Sequence, residues 1–174
     1  MVSLGKRLQG KVAIVTGAGS RGPGVGTGKA TATLFAREGA KVLLVDNVIE
    51  RAEETLASIL DEGGEASVME ADVTVEAECH GIIQQAVERY GSLNILFNNV
   101  GIQPTDSYQN VEDTPEETWD RILDINLKSY YLMAKYAIPE IRKRGGGVII
   151  NTASVQGLQS QNLVPAYAAS KGGI

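Results

Sequence analysis

An α/β fold built on a parallel sheet is predicted by two observations. Apolar, β-branched runs alternate with segments of helical period along the whole chain. The runs are apolar throughout instead of alternating with polar residues, which suits strands buried on both faces beneath two layers of helices.

The elements follow in order. KVAIVTG (11–17) reads as a buried strand, and a glycine-rich loop leads from it into the helix GKATATLFAREG, with Ala30, Leu34 and Phe35 on its apolar face and Gly39 at its end. KVLLVD (41–46) is the second strand, followed by a charged surface helix that stops at Gly63-Gly64. ASVMEADV (66–73) reads as the third strand and VEAECHGIIQQAVERYG as the helix after it. LNILFNN (93–99) is the fourth strand, and a long helix starts near Pro115, with a kink expected at Pro139. GGVIINTAS (146–154) is the fifth strand, and a last helix begins at Pro165. In such sheets ligands bind beyond the carboxyl ends of the strands where strand order reverses, so the loops after Val15, Val45, Leu96 and Ile150 are the ones to inspect.

The 174 residues suffice for one domain with a substantial core, and 43% hydrophobic with 21% charged residues is ordinary globular composition. A net charge of −5 argues against a nucleic-acid partner, because phosphate binding needs a basic surface. No apolar run approaches the roughly 18 residues of a membrane span and no signal-like segment opens the chain, so a cytoplasmic protein with no membrane partner is expected. The single cysteine, Cys79, excludes an internal disulfide. It neighbours the single histidine, His80, on a helix, where adjacent side chains point about 100° apart. One is therefore expected to pack and the other to face water; no metal site is expected.

The loop GAGSRGPGVGTGKAT (17–31) admits two readings. A triphosphate loop needs G-x-x-x-x-G-K-[ST]; with Gly28-Lys29 in place, Pro23 stands where the first glycine belongs and Ala30 where the hydroxyl belongs. A dinucleotide turn fits both ends instead. Thr16-Gly17 follows the strand directly, and Gly26-Thr27-Gly28 opens the helix, where a pyrophosphate can approach bare N–H groups. Arg21 to Val25 is a surplus insertion between these anchors. Asp46, about 18 residues past Gly28, ends the second strand where an acid hydrogen-bonds the adenosine ribose and repels a 2′-phosphate. NAD is thus favoured, while Arg21 leaves NADP open.

Together with these, a wider set of residues resembles the short-chain dehydrogenase/reductase family in its compact single-domain form. Its T-G-x-x-x-G-x-G motif is matched by Thr16, Gly17, Gly19 and Ser20, then by Gly26, Thr27 and Gly28 after the insertion. Its acid–hydrophobic pair beside the adenine is matched by Asp72-Val73, and its N-N-A-G turn by Asn98-Asn99-Val100-Gly101, with valine for alanine. Its helix asparagine corresponds to Asn126, and its serine and Y-x-x-x-K to Ser154, Tyr167 and Lys171.

The resemblance implies a Rossmann-type doubly wound sheet of strand order 3-2-1-4-5, and hydride transfer between a nicotinamide and a small alcohol or ketone. It implies Asn126, Ser154, Tyr167 and Lys171 as catalytic residues. It implies Gly17, Ser20, Gly26, Thr27, Gly28, Asp46, Asp72, Val73, Asn99, Gly101, Tyr167 and Lys171 as the cofactor site. A phenol, with pKa about 10, is a poor base near neutrality, and an ammonium one helical turn away favours its ionised form. Ser154 would then hold the substrate oxygen, and Asn126 a water leading protons to Lys171.

Two other readings share these residues: a sugar-nucleotide epimerase or dehydratase relative, which also uses Y-x-x-x-K, and a non-catalytic dinucleotide-binding module. The loop after Gly101 is polar and suits a hydroxysteroid, a sugar or a small ketone alike. Relatives of this form continue for some 80 further residues. The expectation is therefore a single NAD(P)-binding domain over residues 1–174, incomplete at its C-terminus, with further strands missing. Alone it should be poorly stable and weakly active or inactive, whereas the complete form should be a homo-oligomer.

Overall fold

The computed structural model describes residues 6–174. Five strands form one sheet: β1 (Val12–Thr16), β2 (Lys41–Asp46), β3 (Glu65–Glu70), β4 (Ile95–Asn98) and β5 (Val148–Asn151). Their order is β3-β2-β1-β4-β5 and every pairing is parallel. Chain order runs outward from β1 to β3, then returns to the other side of β1. The connections reverse between β1 and β4, which opens a crevice above their carboxyl ends.

Successive side chains of a strand point to opposite faces, so each uniformly apolar run feeds two cores. Ile14, Leu43, Val45 and Leu96 pack beneath α3 (Glu76–Tyr90) and α5 (Ser129–Lys143). Val15, Val42, Leu44 and Phe97 pack beneath α1 (Thr27–Arg37) and α2 (Ile49–Asp61). The remaining helices, α4 (Glu116–Leu123) and α6 (Pro165–Gly173), lie beyond the carboxyl ends of β4 and β5 in chain order. Cys79 is buried and His80 exposed, as their spacing on α3 requires. Among the described residues no helix is long and apolar enough to cross a membrane.

Several expectations need correction. α1 buries Gly28, Ala32 and Ala36, with Phe35 half-buried, while Ala30 is exposed and Leu34 is 41% exposed. Close packing against the sheet selects the small face over the bulky one. β3 ends at Glu70, because the Asp72 carboxylate accepts hydrogen bonds from the Thr74 N–H (2.8 Å) and hydroxyl (2.7 Å) and closes a turn there. β4 and β5 are likewise shorter than predicted. α5 runs on through Pro139 to Lys143, and one π-helical turn at Asp124–Lys128 stands between α4 and α5, dividing the expected single long helix. Among the described residues β5 pairs only with β4, and Val148 (52%) and Ile150 (39%) stay exposed on it.

Candidate functional site

A cleft of about 380 Å³ follows the crevice, lined by Gly17, Ser20, Gly26, Thr27 and Gly28 at its floor and by Asp46, Asp72 and Val73 at one end. Asn99, Gly101 and Ile102 line the other end. The floor is built by exclusion of side chains. A Cβ on Gly28 would lie 2.8 Å from both the Gly17 carbonyl carbon and Asn99 Nδ2, and closer still to the Gly17 carbonyl oxygen. Only a glycine lets the first turn of α1 sit against the strand end. Gly26 caps that helix without a side-chain hydrogen bond, which leaves first-turn N–H groups directed at the cleft with the positive end of the dipole. This is a cradle for a phosphate-bearing ligand.

The insertion from Arg21 to Val25 is exposed throughout and leaves the cradle intact. The Ser20 hydroxyl accepts from the Gly26 N–H at 2.8 Å and staples the base of the insertion. Asp46 is buried, and its carboxylate ties two loops: one oxygen accepts from Gly19 N–H (3.0 Å) and the other from Val48 N–H (3.2 Å). Asn99 links β4 to the glycine loop, with Nδ2 donating to the carbonyls of Thr16 (3.3 Å) and Gly17 (3.1 Å). Thr16, absent from the predicted site, completes this link: its hydroxyl accepts from Asn99 N–H at 3.1 Å.

Of the remaining predicted residues, Lys171 and Asn126 meet beside Gly101. Lys171 is 5% exposed, and its Nζ donates to the Thr152 carbonyl at 2.7 Å. It stands 5.9 Å from the Tyr167 ring centroid, and a Cβ on Gly101 would approach it to 3.3 Å. Among the described residues no carboxylate lies within 4.0 Å of it. Burial pushes the Lys171 ammonium below its ordinary value.

Asn126, fully buried in the π-helical turn, spends both Nδ2 hydrogens on the Ile102 carbonyl (2.9 Å) and the Ser170 hydroxyl (3.2 Å). Its Oδ1 accepts from Ile102 N–H at 2.7 Å. Ser170 in turn donates to the Tyr167 carbonyl at 2.7 Å, joining α6 to the asparagine. Ser154 caps the short turn Val155–Gly157, accepting from Gln156 N–H at 3.2 Å. That turn abuts α6, since a Cβ on Gly157 would lie 2.5 Å from the Lys171 carbonyl oxygen. Ser154 is thereby carried to the same end of the sheet as Lys171. Thr152 and Ser170 were not foreseen: a main-chain carbonyl has no residue-type signature, and a serine inside Y-x-x-x-K looks like filler.

Comparison with known proteins agrees with this geometry. The family model "short chain dehydrogenase" matches residues 11–174. The chain is 43% identical to an uncharacterized oxidoreductase of Thermotoga maritima over 94% of its own length and 61% of the relative's. It is 34% identical to a cyclohexanol dehydrogenase of an Acinetobacter species, over 98% of its own length and 65% of that enzyme's. An NAD+-bound xylitol dehydrogenase structure superposes with a TM-score of 0.88 at 34% identity, covering 96% of this chain and 62% of that one. The chain thus spans somewhat under two thirds of the length of these relatives. A match over nearly every residue, on a sheet of the same architecture, establishes that the chain belongs to the short-chain dehydrogenase family.

Proposed function

We propose that this chain is a single nicotinamide-binding domain that serves the interconversion of a secondary alcohol and its ketone. The cleft suits the cofactor: Gly28 lets the first turn of α1 close onto the strand end and present its N–H groups to a phosphate, and the buried carboxylate of Asp46 lines the cleft with Asp72 and Val73. Gly17, Ser20, Gly26, Thr27 and Gly28 would hold the pyrophosphate and Asp46 the adenosine ribose. Asp72 and Val73 would border the adenine, and Asn99, Gly101, Tyr167 and Lys171 the nicotinamide half. When bound, the nicotinamide supplies the acceptor or donor of hydride.

The protein's own residues handle the proton. The observation behind this reading is the buried Lys171 ammonium, one turn from Tyr167 and with no carboxylate of the described residues within 4.0 Å. That charge stabilises the negative charge that develops on the Tyr167 oxygen while a proton is being transferred. In oxidation the Tyr167 oxygen accepts the alcohol proton; in reduction the Tyr167 hydroxyl returns it to the carbonyl oxygen. Ser154 orients the substrate oxygen. Because both Nδ2 hydrogens of Asn126 are taken, any water held by that side chain toward Lys171 is held at Oδ1.

Asp46 favours NAD over NADP, since its carboxylate repels a 2′-phosphate, while Arg21 projects on an exposed insertion. The names of two relatives, a cyclohexanol dehydrogenase and a xylitol dehydrogenase, support an uncharged alcohol as the substrate class. Fluorescence titration with NADH and NADPH, followed by turnover of cyclohexanol on the same preparation, tests the proposal. Binding with NADH preferred and a weak but measurable turnover are expected; binding without turnover would leave only a dinucleotide-binding module.

A further inference from the structure

The mechanism above leaves Tyr130 unused. This tyrosine is the second residue of α5, directly after the π-helical turn that carries Asn126, and is only 5% exposed. Its ring centroid lies 5.5 Å from Lys171 Nζ, slightly nearer than that of Tyr167. Its hydroxyl points to the Thr152 carbonyl at 3.5 Å, the same oxygen that accepts from Lys171. The ammonium is therefore enclosed by two tyrosine rings, the Thr152 carbonyl and the Gly101 backbone.

We infer that Tyr130 is a positioning residue, whose ring face holds the Lys171 ammonium in place where a carboxylate would otherwise stand. The chemistry of the site requires such a substitute. A buried ammonium needs a partner, yet an anionic one would cancel its field at Tyr167 and defeat the arrangement. The face of an aromatic ring attracts a cation through its quadrupole while carrying no net charge. Burial raises the Tyr130 phenol well above its ordinary value, with the neighbouring Tyr167 adding to the rise, so this phenol stays neutral and does not compete as an acid.

The groups facing Lys171 are few. α5 presents Tyr130, α6 presents Tyr167, the segment after β5 presents the Thr152 carbonyl, and the turn after β4 presents Gly101, beside which stands the Asn126 amide. Only the two phenols among these titrate. A change at Tyr130 is thus read directly at the lysine.

The inference deepens the proposed Tyr167–Lys171 chemistry, and its test separates the two. Lysine labelled with 13C at Cε reports the Lys171 titration in the 174-residue chain by NMR, without cofactor or turnover. Tyr130→Phe keeps the ring and Tyr130→Leu removes it; Tyr130→Met serves if leucine leaves the core too loose to fold. The Lys171 midpoint is expected to fall by about half to one pH unit in the Leu or Met variant, and to stay within about 0.2 unit in Phe. The acidic limb of the alcohol-oxidation pH profile should move to higher pH in the ring-less variant alone. A purely space-filling Tyr130 would lower Tm in these variants without moving the lysine, and an unmoved midpoint overturns the inference. A lysine midpoint that moves while the pH profile stays fixed would uphold the clamp and refute the proposed proton chemistry.

Discussion

Gly28→Ala tests the cradle most sharply. The added methyl would sit 2.8 Å from the Gly17 carbonyl carbon and from Asn99 Nδ2, whereas carbon contacts are relaxed at about 3.5–4.0 Å. The nearest obstacle is the Gly17 carbonyl oxygen, which is backbone, so no rotamer relieves it, and the start of α1 must retreat by more than about 1 Å. Overpacking of this kind costs about 1–3 kcal/mol, offset by up to about 1 kcal/mol from the better helix propensity of alanine. Net stability therefore falls by up to about 3 kcal/mol. Binding suffers more. Displacement by 1 Å stretches an N–H···phosphate bond of about 2.9 Å beyond useful range, and charge-assisted bonds are each worth about 1.5–3 kcal/mol. Losing two of them weakens NADH binding at least about 100-fold. The space around other glycines grades the series. Gly26→Ala meets Gly19 O and Ser20 Oγ at 3.3 Å and should lose about 10-fold or less, while Gly22→Ala meets nothing within 4 Å and should bind unchanged. NADH fluorescence titration with parallel thermal melts reads both quantities. Wild-type affinity in Gly28→Ala would refute the cradle.

Two further outcomes are expected. Asp46→Asn keeps an acceptor for one of the two loop N–H groups, loses the other bond at a cost of about 1–3 kcal/mol, and removes the repulsion of a 2′-phosphate. The ratio of NADP(H) to NAD(H) kcat/KM should rise, and an unchanged ratio would contradict the role given to this carboxylate. The Cys79 thiol is pushed up to about 11 by burial, from 9.0. At pH 8 its thiolate fraction, and hence its reaction with Ellman's reagent, should be about 100-fold lower in the native chain than after urea unfolding. Because the raised value favours the neutral form, the matching contribution to stability is complete below pH 9 and is lost as pH rises toward about 11. Equal reactivity in both states would place the thiol at the surface.

Much of the fold was legible because VAIVT and KVLLVD leave no alternative to doubly covered strands, and the loops at their carboxyl ends located the site. The face of α1 was misjudged because apolar size suggests burial, while the close approach of the helix selects Gly28, Ala32 and Ala36. The π-helical turn at Asp124–Lys128 has no compositional mark, since it arises from fitting Asn126 between Ile102 and Ser170. Tyr167 and Lys171 were readable from their spacing, but the surroundings of the ammonium were not. They consist of a carbonyl from Thr152, bare backbone at Gly101 and a ring from a helix far back in the chain. None of these announces itself by residue type near the motif.

On the proposed function, Tyr167 moves the substrate proton beside the buried Lys171 ammonium. Tyr167→Phe removes one oxygen and leaves the glycine cradle untouched. Measured side by side, NADH affinity should match wild type within a few-fold while alcohol oxidation falls by about 100- to 10,000-fold. Turnover that survives this substitution at its full rate would contradict the account.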